Sequence, residues 1–266
     1  MVFPVFRLTL NSNRWWRGDM FKKRIPNCSF IDVHSHIIPA VDDGAQDAAQ
    51  SVAMLEQLER EGAKAIICTP HYIADSGSAY TREQNKALFE ILKRCTKLKL
   101  YLGNEIYIDE NINELLAKKI VSPLADSEYV LVELPMSGRF ADYEDILLDL
   151  SRNHKVILAH PERYKTFQKD FSLIESLVEE GILLQCNFGT LQGQYGKEAM
   201  RTLKRMLKKR YVFCFGTDIH HERDFCYFQQ AIIRLWKIVN DSKYFRDIIY
   251  YNAEKIISKK KRITKK

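Results

Sequence analysis

The sequence predicts one α/β domain folded as a distorted (β/α)7 TIM-like barrel, and three observations predict it. Seven short apolar runs recur along the chain, each followed by a longer stretch of helical spacing. The runs are near-continuously apolar rather than alternating, which is the pattern of parallel strands covered on both faces. No glycine-rich phosphate turn follows the first run, where a doubly wound open sheet would carry one. A length of 266 residues, with 46% hydrophobic and 28% charged side chains, suits a single barrel that buries its core without disulfide or metal staples.

The runs occupy residues 30–35, 65–69, 98–104, 129–133, 155–159, 183–187 and 212–216. A helix is expected over residues 47–61, where Asp47 caps the start, Val52, Leu55 and Leu58 recur on one face, and Gly62 ends the pattern. The same spacing returns at 172–180, before Gly181, and at 197–209. Helical spacing over 224–239 and 244–257 is expected to cover the last seam of the barrel. No composition break marks an internal linker, so residues 30–257 read as one domain between a basic N-terminal extension, 1–29, and a basic tail, 258–266. Met20 opens a second plausible start, which makes residues 1–19, with Trp15 and Trp16, an upstream extension.

The formal charge of +7 is unevenly spread. Residues 1–24 carry a net +5 and residues 258–266 a net +6, which leaves the body at −4. Nucleic-acid binding has no recognition motif behind it and is not expected. Basic ends of this kind are ordinarily solvated tails, and they also suit peripheral contact with an anionic membrane surface. Among the six cysteines there is no C-x-x-C pair, and Cys68, Cys186 and Cys214 interrupt apolar runs, as buried reduced thiols do. That usage points to a reducing compartment, the cytoplasm. No run reaches the roughly 18 apolar residues of a membrane span, and the apolar start before Arg7 is too short for a signal-peptide core.

Ligand-type side chains follow almost every run. The first leads into His34-Ser35-His36, the second into His71, the third into Glu105, the fourth into Glu133, and the fifth into His160. The sixth ends in Asn187, and the seventh leads into Asp218 and His220. In a barrel all these ends meet at one rim, where barrel enzymes place their sites. Successive strand residues face opposite ways, so His34 and His36 project to one side, as do Asp218 and His220. A single His or Glu at a strand end is ordinarily a hydrogen-bonded or solvated residue. So many at matching positions point instead to a metal site.

Five imidazoles with the carboxylates of Asp43, Glu105, Glu133 and Asp218 form a nitrogen and oxygen set without thiolate. Such a set suits manganese, iron or zinc and argues against iron–sulfur or copper(I). Nine ligands are too many for one ion. Three divalent ions against four carboxylates would leave about +2 at the centre, matched to a phosphomonoester dianion. The reaction class implied is metal-assisted hydrolysis of a phosphate ester. No arginine stands at C-x5-R spacing from any cysteine, so a thiol nucleophile is not expected.

These motifs resemble the PHP (polymerase and histidinol phosphatase) superfamily, and within it the manganese-dependent bacterial protein-tyrosine phosphatases of capsule and exopolysaccharide loci, the CpsB/CapC type. The matching stretches are Ile31-Asp-Val-His-Ser-His-Ile-Ile-Pro-Ala-Val-Asp-Asp-Gly44, Thr69-Pro-His71, Asn104-Glu-Ile-Tyr107, Val132-Glu133, Ala159-His-Pro-Glu-Arg-Tyr164 and Gly216-Thr-Asp-Ile-His-His221, with Gln192-Gly-Gln-Tyr-Gly-Lys197 also similar. The resemblance implies up to three ions, Mn2+ foremost with iron or zinc as alternatives. It gives His34, His36, Glu105 and Asp218 to one ion, Glu105, Glu133 and His160 to a second, and Asp43, His71 and His220 to a third. Asp43 is preferred over Asp42 because the family's ligand follows the second histidine of H-x-H by seven residues.

Arg163 resembles the family's phosphate-binding arginine, whose planar fork grips two phosphoryl oxygens. Arg223 is a second, weaker candidate for binding phosphate. Tyr107 and Asn187 face the rim but read as packing residues. Arg163, His220 and Asp218 are the residues expected to act on the substrate, with attack by a metal-bound hydroxide. The implied substrate is the phosphotyrosine tail of a membrane-bound bacterial tyrosine kinase that controls polysaccharide export. Histidinol-phosphate phosphatase, or another small-molecule phosphoesterase, is the enzyme alternative. A non-catalytic module docking to a membrane or partner is the alternative of another class. The sequence leaves an oligomer open.

Overall fold

Parallel pairing runs through the chain in order. In the computed structural model, which describes residues 28–136, 140–225 and 228–258, β1 (Phe30–Asp32), β2 (Ala63–Cys68) and β4 (Lys99–Leu102) form one sheet. The second sheet follows the order β3 (His71–Tyr72), β5 (Glu105–Tyr107), β6 (Tyr129–Glu133), β7 (Lys155–Ala159), β8 (Leu183–Asn187) and β9 (Val212–Gly216). Every pairing is parallel. Since β3 resumes the course of β2, and β5 that of β4, the sheets are successive arcs of one seven-position array. The N-terminal extension as far as residue 27, the tail from 259, and Cys226 lie outside the described residues.

Two of the expected strands therefore resume beyond a gap, as β3 and β5, and the gaps serve the site. Pro70 has no N–H to give a ladder, and at Gly103 a Cβ would stand 2.7 Å from Leu124 Cδ2. Asn104 bridges the gap, donating through Nδ2 to Pro70 O at 3.0 Å and accepting from Ser122 N at 2.9 Å. Beyond the gap, His71 pairs in register with Glu105.

The array is joined at its C-terminal rim. Ser35 bridges to Ile219, with Asp218 N donating to His34 O at 2.8 Å and His36 N to Ile219 O at 3.0 Å. Below that bridge the Asp32 carboxylate accepts from Thr217 N at 2.8 Å and Thr217 Oγ1 at 2.5 Å. Burial outweighs these bonds and pushes the Asp32 carboxyl up to about 6. The first and last strands are thus pinned where the H-x-H motif leaves β1.

Alternate strand residues divide between two cores, as strand geometry requires. Ile31, Val33, Ala65, Ile67, Tyr129, Leu131, Ile157, Ala159 and Cys214 form the inner cluster. Ile66, Cys68, Val130, Val132, Val156, Leu158, Leu184, Cys186 and Phe215 face outward into the layer covered by helices. Cys68, Cys186 and Cys214 are buried thiols outside any disulfide. In β8 the inward register is taken by Gln185, a polar side chain where the other strands offer apolar ones.

The helices are α1 (Ala48–Arg60), α2 (Arg82–Leu92), α3 (Ile112–Ala117), α4 (Ala141–Ser151), α5 (Lys165–Lys169), α6 (Ser172–Glu179), α7 (Phe188–Gln192), α8 (Gly196–Lys209), α9 (Phe228–Val239), α10 (Ser242–Arg246) and α11 (Asn252–Ile257). Asp47 caps α1 by accepting from Gln50 N at 2.8 Å, a contact of the kind that stabilises by about 1 kcal/mol. The helix buries Met54, Leu55 and Leu58, with Val52 only half-buried. Helix α9 starts later than residue 224, because Asp224 instead accepts from His220 N at 3.1 Å and His221 N at 2.8 Å. The helix expected over 244–257 is interrupted by a π turn at Asp247–Tyr251. That turn lets Ala253 and Ile256 of α11 join the inner cluster, while Asn252 Nδ2 donates to Phe213 O at 2.8 Å. Among the described residues no helix is long and apolar enough to cross a membrane.

Candidate metal centre

The rim of the array gathers all nine expected ligands. His34 and His36 leave β1, His71 and Glu105 open β3 and β5, Glu133 ends β6, and His160 follows β7. Asp218 and His220 follow β9, and Asp43 comes from the loop between β1 and α1. That loop folds back so closely that a Cβ on Gly44 would lie 2.2 Å from His36 O; at the end of β9, a Cβ on Gly216 would lie 2.6 Å from His34 Cβ. Glycine is required at both places for the backbone to pass.

Three sets of ligand atoms converge: His34, His36, Glu105 and Asp218; His71, Glu105 and Glu133; and His36, Asp43, His71 and His220. His160 Nε2 adds to the second set, 3.0 Å from Glu105 Oε1 and 3.6 Å from Glu133 Oε1. The resemblance divides the same nine residues with two differences: the geometry also places His36 with Asp43, His71 and His220, and His71 also with Glu105 and Glu133. Its Nδ1 lies 2.9 Å from Glu105 Oε2 and 3.5 Å from Glu133 Oε2, while its Nε2 lies 3.6 Å from Asp43. His71 thus stands between two of the sets.

Outer partners fix which nitrogen of each ring faces inward. Gln185 Nε2 donates to Cys186 O at 2.9 Å and to Asn187 Oδ1 at 2.8 Å, so its Oε1 is the atom 2.8 Å from His34 Nδ1. His34 Nδ1 must therefore carry a proton. Asp42 Oδ2, 2.8 Å from His36 Nδ1, imposes the same tautomer there. His220 Nδ1 donates to Asp218 O at 3.0 Å, leaving its Nε2 toward Asp43 at 3.3 Å.

The consequence is an excess of electron pairs. The Nε2 lone pairs of His34 and His36 stand 3.1 Å apart, with Glu105 Oε2 at 3.1 and 3.4 Å from them and Asp218 Oδ1 at 3.4 Å from each. Glu105 Oε2 is buried and has no hydrogen-bond partner among the described residues. An orphaned carboxylate oxygen among inward lone pairs has two remedies, a proton or a cation. The donor set fits a divalent cation of the borderline class, since it offers imidazole and carboxylate and no thiolate.

Protonation in the absence of a cation follows the same charges. Burial works against a charged His34, but Glu105 and Asp218 overcome it and hold the ring up at about 9. Burial and the adjacent Glu105 carboxylate push Glu133 up to about 8. Burial takes His160 down to about 4, against its bond to Glu105. Although burial opposes it, His34 and His36 keep Asp218 far below the usual carboxylate range. Both His160 (φ 35°) and Asp218 (φ 53°) occupy the left-handed region, which non-glycine residues visit at a cost.

Arg163 reaches the same rim. Its Nη1 donates to Asp218 Oδ2 at 2.8 Å, and its guanidinium lies 4.4 Å from the centroid of the Tyr195 ring. It lines a cleft of about 360 Å3 with Asp43, His71, Glu133, His160, Asp218 and His220, walled by Ile73 and Met136. Arg223 is exposed and lines a different hollow, beside Gln50 and His221. Tyr107, half-buried at the end of β5, makes no hydrogen bond to the expected ligands among the described residues, whereas Asn187 does more than pack. Asn187 Nδ2 donates to Asp218 Oδ2 at 2.6 Å, and its backbone N donates to the buried Glu162 Oε1 at 2.9 Å. Asp42, Gln185, Glu162 and Tyr195 were not among the expected site residues. For Gln185 the signal was an inward polar residue in an apolar strand; for Asp42, its place beside the chosen ligand.

A TIM-like barrel whose C-terminal rim clusters imidazoles and carboxylates around a cleft with an arginine defines a metallohydrolase class of protein. Residues 30–258 match the family model for capsular polysaccharide synthesis, CpsB/CapC, and the chain belongs to that family. It is 33% identical over 196 residues to the tyrosine-protein phosphatase YwqE of Bacillus subtilis (strain 168), covering 72% of this chain and 77% of that one. It is 29% identical over 240 residues to the tyrosine-protein phosphatase CpsB of Streptococcus pneumoniae, covering 85% and 98%. A solved structure from work on YwqE of Bacillus subtilis and CpsB of Streptococcus pneumoniae, metal-dependent tyrosine phosphatases, superimposes with a TM-score of 0.74 at 31% identity, covering 85% of this chain and 94% of the other.

Proposed function

We propose that the protein is a metal-dependent protein-tyrosine phosphatase acting in capsular or exopolysaccharide synthesis. The observation that carries the reading is the convergence of the inward-facing Nε2 atoms of His34 and His36 with Glu105 and Asp218 oxygens, next to Arg163. Membership of the CpsB/CapC family supports it. The nine ligands would hold up to three divalent ions, manganese foremost, which when bound supply positive charge against the phosphoryl oxygens and activate water for attack.

The chain's own side chains account for the rest. Arg163, oriented by the Tyr195 ring and by Asp218, presents a planar fork able to span two phosphoryl oxygens. An arriving dianion competes with Asp218 for that guanidinium. Ile73 and Met136 give the cleft an apolar wall suited to an aromatic ring. His220, with Nδ1–H held by Asp218 O, keeps its other nitrogen toward the cleft. A phenolate, with a pKa near ~10, leaves with little acid assistance. Neither a thiol nor a hydroxyl nucleophile is called for.

In this reading the substrate is the phosphotyrosine tail of a membrane-bound bacterial tyrosine kinase, and the protein works in the cytoplasm near the inner membrane face. The test is turnover of a phosphotyrosine peptide and of histidinol phosphate by the manganese-loaded full chain, with metal content measured alongside. Preferred hydrolysis of the peptide, lost on chelation, is expected. Preference for histidinol phosphate by orders of magnitude, or full turnover without bound metal, would overturn the reading.

A further inference from the structure

Helix α8 carries a charge that sets it apart from the acidic body. Helices α1, α4 and α6 are net −1, −4 and −2, whereas α8 holds six cations against Glu198 alone. Two of the six are engaged on the helix flank. Arg205 and Lys209 lie 3.9 and 2.7 Å from Glu175, and they also pack over the rings of Phe171 and Tyr211. The other four, Lys197, Arg201, Lys204 and Lys208, follow one another at intervals of four, three and four residues, the spacing of a single helical stripe. All four are exposed. Arg201 pairs with Glu198, and among the described residues no carboxylate pairs with Lys197, Lys204 or Lys208.

The stripe begins at the candidate active site. Its first cation, Lys197, stands two residues after Tyr195, whose ring carries the Arg163 guanidinium. Lys197, Met200, Arg201 and Lys204 line a hollow of about 390 Å3 with Gly193 and Gly196. From Lys197 to Lys208 the stripe extends about 16 Å, the length of roughly five residues of extended chain. A peptide whose phosphotyrosine enters the cleft has a flank free to lie along it.

We infer that this stripe docks an acidic segment of the substrate protein adjoining the phosphotyrosine, an inference that rests on the phosphatase reading. Charge complementarity is what favours that occupant: three unpaired lysines in a row on a net-negative body attract a run of Asp and Glu. Exposed charges of this kind act mainly on encounter and weaken with salt. The effect therefore belongs in KM, with the turnover of bound substrate unchanged.

The experiment uses the manganese-loaded full chain and its Lys197→Glu/Lys204→Glu/Lys208→Glu variant. The probes are p-nitrophenyl phosphate and phosphotyrosine peptides carrying five Glu on the N-terminal side, five Glu on the C-terminal side, or Gln throughout. One acidic peptide is expected to show a KM about tenfold or more below that of the Gln peptide, a gap that closes at high salt. The variant should lose that preference while keeping its kcat and its turnover of p-nitrophenyl phosphate. Equal KM values for all peptides, or a preference that survives in the variant, overturn the inference and leave the phosphatase reading intact. Loss of phosphatidylserine-vesicle binding in the variant with unchanged peptide kinetics assigns the stripe to a membrane and also overturns it. Failure of the parent protein to hydrolyse even p-nitrophenyl phosphate overturns the phosphatase reading itself.

Discussion

Replacing Asp42 by asparagine removes a single charge at nearly constant volume and asks whether tautomer control sustains the metal centre. Asp42 Oδ2 accepts from His36 Nδ1 at 2.8 Å and from His71 N at 3.0 Å, and Oδ1 accepts from Gly44 N at 3.0 Å. Asparagine has one oxygen for these three donors. Keeping the bond to Gly44 turns its NH2 toward two N–H groups, and the escape for His36 is to move its proton to Nε2. That nitrogen is the one 3.4 Å from both Glu105 Oε2 and Asp218 Oδ1, so the ligand lone pair is lost.

Outer partners of metal-bound histidines are worth about 10- to 100-fold in affinity or activity, which is about 1.4 to 2.8 kcal/mol. The expected outcome is a Mn2+ affinity lowered by that factor in a chelator competition. Activity should be recovered substantially at saturating metal, because Asp43 and the other ligands are untouched. The thermal midpoint of the chelated protein serves as a control on folding. Unchanged metal affinity in a folded Asp42→Asn protein would refute the tautomer argument.

Arg163→Lys removes the planar fork while keeping a positive charge, so kcat/KM for an aryl phosphate is expected to fall about 10- to 100-fold; bound metal measured on the same sample should not change, and an unaltered kcat/KM would exclude the arginine from phosphate binding. Metal loading should release protons, because His34 at about 9 and Glu133 at about 8 both hold one at neutral pH before coordination. Coordination needs the unprotonated forms, so affinity rises with pH between about pH 6 and pH 8; calorimetry in two buffers of different ionisation enthalpy reads the release, and identical apparent enthalpies would contradict it.

The seven apolar runs were legible because strands buried on both faces leave continuous hydrophobic stretches, and each run overlaps a strand, although the first and third extend past theirs. The breaks were not, since the sequence pattern does not show Asn104 reaching across to Pro70. The π turn at Asp247–Tyr251 was equally hidden, because helical spacing runs unbroken through it and only packing against the barrel base selects the bulge. At the site, ligand types at strand ends were readable from position alone. Their outer partners were not, because Asp42 and Gln185 act by which atom faces an imidazole, and that depends on a fold-level neighbour 6 and 151 residues away.

Strain and polarity at the rim have one physical origin. Two of the expected ligands, His160 and Asp218, sit in the left-handed region, at about 1 to 2 kcal/mol each for a non-glycine residue. Glycine would relieve that cost at either position and remove the ligand. The surroundings instead hold both: Asp218 N is bonded to His34 O, and its carboxylate takes Asn187 Nδ2 at 2.6 Å and Arg163 Nη1 at 2.8 Å. Asn187 is held in turn by Glu162, whose buried Oε1 also accepts from Thr190 Oγ1 at 2.8 Å. A chain of buried polar bonds therefore links the turn after β7 to the end of β8 and the exit of β9, three consecutive positions of the array. Such a chain fixes ligands to within the few tenths of an ångström that coordination tolerates. It also explains why polar residues occupy the inward register of β8 where an apolar barrel interior would otherwise continue.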